Sequence, residues 1–225
     1  MDRSQGSGGL VPAVEAVPNS RRKFFTGSAK WAGMAAVASR LAAQSTTVPT
    51  GDIAILNYAL TLEHLEANFY TQGLKTFTSV DFANAQFMQG LGDQINGDVF
   101  GFLSIIRDHE QTHERKLTSV IKSLGGTPVP ACTYNFGYKT ADDFIAIAMA
   151  LENTGVSAYD GAIGQIQTPS LRTAGATIAT VEARHAAYLN QLNGAVPFPD
   201  AFDTPKTMAQ ILAIAGPFIT SCPGM

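Results

Sequence analysis

The chain repeats one spacing, a glutamate followed three residues later by a histidine, in two segments whose apolar residues recur with helical periodicity. Glu110 precedes His113 in one copy, and Glu182 precedes His185 in the other. Residues three apart on an α-helix share a face, one turn apart, so each segment can present a carboxylate and an imidazole together. With only four histidines and seven glutamates in 225 residues, this repeat favours two helices that supply ligands to one metal site.

Helical periodicity extends through most of the chain after residue 51, and no segment keeps the alternation of a strand. Asp52 is the expected N-cap of the first helix, Thr140 that of the third, and Pro169 suits the first turn of the fourth. We therefore predict an all-α fold with four long helices and a short C-terminal fifth. The expected spans are residues 52–70, a segment ending near 124, 140–167, 169–193 and 206–215.

The segment between the second and third helices, residues 125–139, is rich in glycine, proline and aromatic residues. At about 15 residues it is too long for a simple connection between antiparallel neighbours. Extended, it could reach about 50 Å, which exceeds the length of about 37 Å for a 25-residue helix. The segment can therefore run the length of a bundle, and it predicts a four-helix bundle with one long crossover.

The first and third helices each carry a glutamate near the middle of an apolar stretch, Glu63 and Glu152. A tyrosine follows each of them by seven residues, Tyr70 and Tyr159, and so returns to nearly the same helical face. We expect the glutamates to complete the metal site. The tyrosines are interpreted as packing residues with hydrogen-bonding tips or, more specifically, as residues that support the ligands from outside.

Four carboxylates in an apolar core would repel one another unless protons or cations compensate them. Two divalent cations balance the four charges. Glu66 is an alternative to Glu63, but its counterpart in the third helix is Gly155, and the tyrosine spacing favours Glu63. His64 and His109 each precede a candidate ligand by one position, which places them on helix interfaces or at the surface.

One glutamate from each of two helices and a Glu-x-x-His pair from each of the others is the di-iron or di-manganese carboxylate pattern of ferritin-like proteins. The runs Leu-Thr-Leu-Glu-His-Leu-Glu-Ala-Asn-Phe-Tyr and Val-Glu-Ala-Arg-His resemble the ferritin-like family that includes plant desiccation-related proteins and secreted fungal stress proteins. The resemblance covers about residues 52–223. It implies a ferritin-like bundle with two Fe or Mn ions held by six ligands: Glu63, Glu110, His113, Glu152, Glu182 and His185.

Two other interpretations of the site remain open at this level. His109-Glu110-x-x-His113 also matches the His-Glu-x-x-His motif of zinc peptidases, although that leaves the second copy and the other glutamates unexplained. The bundle could also hold its glutamates protonated or hydrogen-bonded and bind no metal. Glycines 155, 161 and 164 in the third helix either give access to the site or allow close packing.

The N-terminal region carries the pattern Ser-Arg-Arg-Lys-Phe-Phe at residues 20–25, followed by a modestly apolar stretch to residue 43. This resembles a twin-arginine (Tat) leader and predicts an export signal over residues 1–43, a linker over 44–51 and the bundle over 52–223. Lys30 and Arg40 interrupt the apolar stretch, so no membrane helix is expected after signal cleavage. A disordered basic tail is the alternative. The expected location is the periplasm or the extracellular space, or else a thylakoid lumen.

Two cysteines, Cys132 in the crossover and Cys222 near the C-terminus, lie outside any metal-binding spacing. They are compatible with a disulfide in an oxidising compartment, and two unpaired thiols are the alternative. Outside residues 1–43 the chain has nine Lys and Arg residues against sixteen acidic ones, so its formal charge of −7 argues against a nucleic-acid partner.

A dinuclear redox centre suits the reduction of peroxide or oxygen, by a catalase-like or ferroxidase-like reaction, in protection against oxidative or desiccation stress. A non-catalytic protein in which the metal stiffens the bundle is the second hypothesis. The expected partner is a small-molecule oxidant, and the sequence leaves self-association open.

Overall fold

The computed structural model describes residues 51–89, 91–92 and 97–223 of the chain. The described residues form four long helices and two short ones, which confirms the all-α prediction. In chain order these are α1 (Asp52–Thr76), α2 (Ser79–Ala83), α3 (Val99–Ser123), α4 (Ala141–Ile163), α5 (Pro169–Leu192) and α6 (Met208–Ala215).

The long helices pack as two pairs, α1 along α3 and α4 along α5. Helix α1 also contacts α4, and α6 lies against both of them. Aromatic rings fill the core where α1 meets α4: Phe69 stacks on Phe144 with ring centroids 4.5 Å apart, and Tyr70 meets the same ring edge-on. Burial of these rings is the main force that holds the two pairs together.

The long crossover joins α3 to α4 and carries the strand β1 (Thr133–Tyr134). This strand pairs in antiparallel fashion with β2 (Ile219–Ser221) near the C-terminus. The sequence analysis missed this two-stranded sheet, because strands of two and three residues are too short to show a period. A disulfide between Cys132 and Cys222 joins the same two segments, with their Cα atoms 4.2 Å apart and 90 positions apart in sequence.

The helix ends follow the expected chemistry, with three corrections. First, α1 continues to Thr76, six residues beyond the predicted end at residue 70. Thr140 caps α4 in a reciprocal pair of bonds with Asp143, and Pro169 begins α5. The prediction that Asp52 caps α1 is wrong, because Gly51 is the N-cap and Asp52 is the first helical residue. The Asp52 carboxylate instead accepts hydrogen bonds from the backbone N–H groups of Gln167 and Thr168.

Helix α4 ends at Ile163, four residues before the predicted end. Residues 164–168 form the turn into α5. The backbone N–H groups of Gln167 and Thr168 donate hydrogen bonds to Asp52, and these bonds replace the ones that a continued helix would form. Gly161, near the end of α4, allows close packing: a Cβ atom there would lie 1.9 Å from the carbonyl oxygen of Lys206. The segment that leads into α6 can therefore lie directly on α4.

The predicted export signal falls on residues 1–43, which lie outside the described residues, as does most of the linker. None of the described helices is both long and apolar enough to cross a membrane.

Candidate metal centre

All four long helices place their central glutamate at one level of the bundle. Glu63, Glu110 and Glu152 are each the twelfth residue of their helix, and Glu182 is the fourteenth residue of α5. The helices are of similar length, from 23 to 25 residues, so these positions coincide halfway along the bundle. The four glutamate side chains are fully buried, with 0% of their surface exposed.

The six predicted ligands form two overlapping groups, in each of which the potential ligand atoms lie within 4.8 Å of one another. Glu110 and Glu182 belong to both groups. Glu63 and His113 complete one, and Glu152 and His185 complete the other. A cation at either group would therefore lie near both shared carboxylates, one further glutamate and one histidine.

Buried oxygen atoms without hydrogen bonds indicate that these residues fit a cation. Both carboxylate oxygens of Glu110, both of Glu182 and Oε2 of Glu63 are buried without a hydrogen-bond partner. His113 Nδ1 lies 3.1 Å from Glu182, 3.3 Å from Glu63 and 3.4 Å from Glu110, yet it forms a well-aligned hydrogen bond with none of them. A single N–H group cannot donate to three carboxylates at once. A metal ion between the histidine and the three carboxylates could bind all four side chains.

The two tyrosines donate hydrogen bonds to the two unshared glutamates, Glu63 and Glu152, and each tyrosine bonds the glutamate of the other helix. Tyr70 of α1 donates to Oε1 of Glu152 on α4, at 2.6 Å, and Tyr159 of α4 donates to Oε1 of Glu63 on α1. Each tyrosine therefore orients the glutamate of the opposite helix so that its second oxygen faces a histidine of the centre. Oε2 of Glu152 lies 3.2 Å from His185 Nδ1, and Oε2 of Glu63 lies 3.3 Å from His113 Nδ1. Both tyrosines are buried, so these bonds also satisfy their hydroxyl groups.

Burial strongly disfavours the charged forms of several carboxyl groups at the site. Burial, together with the neighbouring glutamates Glu182 and Glu110, raises the pKa of Glu63 to about 8. Burial also raises the pKa values of Glu152 and of Glu66 well above the usual range for a carboxyl group, and neighbouring glutamates add to the effect. Without a metal ion, the site would therefore retain protons that an ion could replace.

The histidines show the complementary effect. Burial alone would lower the pKa of His113 and of His185, but the surrounding carboxylates outweigh it and raise both values to about 12. Burial alone would raise the pKa of Glu182, but the two histidines beside it lower the value to about 2. In the metal-free site, protons on both imidazoles therefore supply part of the positive charge that two metal ions would otherwise supply.

His109 lies outside both ligand groups and contacts one of the ligands. Its Nδ1 lies 3.0 Å from Nε2 of His185, and the two rings stack with centroids 5.2 Å apart. The sequence analysis placed His109 at a surface or interface and missed this contact. This arrangement weakens the zinc-peptidase alternative, because that motif needs His109 and His113 to bind the same ion, and only His113 belongs to a ligand group.

Glu66 is also buried beside the centre, with 4% of its surface exposed. It follows Glu63 by about one helical turn, and this spacing is what indicated in the sequence that Glu66 could face the same site. His64, in contrast, has a structural role. Its Nε2 contacts the backbone oxygen of Val129 at 3.0 Å, and its Nδ1 lies 3.2 Å from Glu114, so it connects α1 to the crossover and to α3.

The bundle and its two overlapping ligand groups define a class of protein: a four-helix bundle with a candidate dinuclear carboxylate centre. The ferritin-like domain family matches residues 51–195, well over half of the chain, and the chain belongs to this family. It is also similar to protein rds1 of Schizosaccharomyces pombe (strain 972 / ATCC 24843), with 26% identity over 172 residues. That match covers 76% of this chain and 40% of the relative, so the chain spans less than half of the relative's length.

Proposed function

We propose that this protein is an exported oxidoreductase whose dinuclear Fe or Mn centre reduces peroxide or oxygen in stress protection. The observation that carries the proposal is the pair of overlapping ligand groups that share Glu110 and Glu182. When bound, two such ions supply one-electron and two-electron exchange with an oxidant. The mixed nitrogen and oxygen ligands suit both Fe and Mn.

The residues around the centre would each have a defined task. Glu110 and Glu182 hold the two ion positions together, while His113 and His185 provide one imidazole to each. Tyr70 orients the carboxylate of Glu152, and Tyr159 orients that of Glu63. The burial of all these groups excludes bulk water, which strengthens their electrostatic effect on bound ions.

A groove supports access by a small oxidant. It has a volume of about 360 Å³ and lies between α3 and α5. Its lining consists of four mainly apolar side chains, Phe102, Ile105, Ile106 and Tyr188, and four polar ones, His109, Arg184, His185 and Gln191. The ligand His185 therefore forms part of its wall. Because most of the lining surface is apolar, the groove suits small neutral molecules, such as hydrogen peroxide or dioxygen, better than charged ones.

The proposal is tested by loading the full chain with Mn(II) or Fe(II) and measuring consumption of hydrogen peroxide and of dioxygen. We expect the loaded protein either to disproportionate hydrogen peroxide, with one peroxide reduced and a second oxidised, or to consume dioxygen with excess Fe(II) as the electron donor. The metal-free protein should do neither. Binding of two ions without consumption of either oxidant would contradict the catalytic proposal and favour the non-catalytic protective role, which the full burial of the glutamates also suits.

Narrowing the groove should slow this reaction without removing the ions. Ile105 is 51% exposed on the groove, and Ile105→Trp places a larger ring across it. We expect oxidant consumption to fall about tenfold, equivalent to about 1.4 kcal/mol in the barrier. Val80→Trp, at an exposed position on α2, is the matched control and should leave the rate unchanged. Equal rates in both variants at equal metal content would rule out the groove as the route.

Export is part of the proposal and has two supports. One is the twin-arginine pattern at Arg21 and Arg22, and the other is the disulfide between Cys132 and Cys222, since disulfides persist in oxidising compartments. Cell fractionation of the full chain and of Arg21→Lys/Arg22→Lys tests it. Export that persists in the variant would exclude the twin-arginine route, and an intracellular wild-type protein would refute export itself.

A further inference from the structure

Glu66 is a fifth buried glutamate at the level of the centre, outside both groups of candidate ligands. It lies on α1, one turn beyond Glu63, and its side chain points into the bundle with the other four. A carboxylate so deeply buried costs several kcal/mol unless a proton or a cation compensates it. Its position therefore calls for a specific partner.

The helix opposite Glu66 leaves room for its carboxylate. Gly155 follows Glu152 by one turn of α4, and a Cβ atom at position 155 would lie 3.2 Å from Oε1 of Glu66. The same Cβ atom would lie 3.4 Å from Oε2 of Glu182. The methyl group of an alanine would press on the Glu66 oxygen and only touch the Glu182 oxygen, so glycine at this position keeps open a space that two carboxylates line.

The second carboxylate at this space, Glu182, lies near two histidines but accepts no well-aligned hydrogen bond. Both oxygens of Glu182 are buried without a hydrogen bond, and Glu182 belongs to the ligand group completed by Glu152 and His185. Two charged carboxylates that line one buried space repel each other, and a shared cation removes that repulsion. Gly155 and Glu152 lie on the same face of α4, so the space adjoins the ion position that Glu152 would serve.

We propose that Glu66 is a seventh ligand, which binds the ion held by Glu152, Glu182 and His185. This inference rests on the metal centre of the proposed function. Five carboxylates carry one negative charge more than two divalent ions neutralise. A centre that includes Glu66 would therefore accommodate one trivalent ion without taking up an additional anion.

The test is titration of the metal-free full chain with Co(II), whose visible absorption reports coordination number as well as binding. Glu66→Gln keeps the shape of the side chain and removes its charge. We expect the affinity for one of the two Co(II) ions to fall at least about tenfold, as for other residues that support a metal site. The absorption of that ion should intensify, because Co(II) with fewer ligands absorbs more strongly.

Two further variants keep the test decisive. Glu114→Gln removes the same charge from a half-exposed glutamate that pairs with His64, and it should leave both the affinity and the spectrum unchanged. Gly155→Ala displaces the Glu66 carboxylate without removing it, and it should weaken the same ion if Glu66→Gln fails to fold.

The outcomes separate the two proposals. Two Co(II) ions bound equally well by the wild-type protein and Glu66→Gln, with identical spectra, would overturn the role of Glu66 and leave the dinuclear centre intact. A wild-type protein that binds no Co(II) would overturn both.

Discussion

Replacement of both shared glutamates, Glu110→Ala/Glu182→Ala, is expected to abolish metal binding. Each shared glutamate belongs to both ligand groups, so the variant leaves one group with Glu63 and His113 and the other with Glu152 and His185, beside which only Glu66 remains. Without the two carboxylates common to both groups, neither set holds a divalent ion tightly, and we expect the content to fall from about two Fe or Mn ions per chain to below about 0.2. Elemental analysis of protein purified from its native compartment measures this directly.

The control for this prediction is Glu114→Ala, which removes a nearby glutamate outside the ligand groups and should retain both ions. Circular dichroism should show the double variant folded, because loss of two buried carboxylates also removes their desolvation cost. Two ions retained by the double variant would contradict the assignment of Glu110 and Glu182. One zinc ion per chain in the wild-type protein would instead revive the peptidase alternative.

The metal-free protein is expected to lose stability as the pH rises from about 5 to about 8. The folded state raises the pKa of Glu63 from 4.5 to about 8, so the folded chain binds more protons than the unfolded chain throughout this interval, and stability falls with pH. His113 and His185 act in the same direction above pH 6.5. Their pKa values are about 12 in the folded chain, so they stay protonated there after the unfolded chain has lost these protons, and the free energy of unfolding falls as the pH rises toward 12. Glu182 acts oppositely, but only below its usual value of 4.5.

The size of this effect is set by about 1.4 kcal/mol for each unit of pKa shift. For Glu63 alone, a loss of about 4 kcal/mol between pH 5 and pH 8 would lower the Tm by about 8 to 16 °C. Divalent metal at about a thousand times its Kd should restore about 4 kcal/mol for each ion. The rise in Tm should be largest at pH 8, where fewer protons compete with the metal.

Thermal unfolding in EDTA and in Mn(II), at pH 5, 6, 7 and 8, checks this prediction. Glu63→Gln removes the carboxyl group whose pKa rises to about 8 in the folded state, and it should weaken the pH dependence of the Tm in EDTA. Stability that increases with pH in EDTA would contradict the pKa directions. An equal rise in Tm with Mn(II) at pH 5 and at pH 8 would show that metal and protons do not compete for the same groups.

Much of the fold could be predicted because its signals are local. Thr140 caps α4 through residues three positions away, and Pro169 begins α5 because its own ring favours the first turn. The prediction that Asp52 caps α1 was wrong because its hydrogen-bond partners are distant in sequence. Its carboxylate bonds Gln167 and Thr168, more than a hundred residues away, and no local pattern reports such a partner.

The sequence by itself determined which residues share a helical face, since the period of the α-helix depends only on the backbone. For that reason the six candidate ligands and the two glutamate–tyrosine spacings could be predicted from the sequence, whereas the long crossover was predicted from the length of residues 125–139. Only the tertiary structure decided what those faces meet. Tyr70 bonds Glu152 and Tyr159 bonds Glu63, each on the opposite helix. His109 stacks on His185, and Gly155 leaves space beside Glu66. These contacts depend on the heights and distances between neighbouring helices, which arise from packing of the whole core and leave no period in the chain.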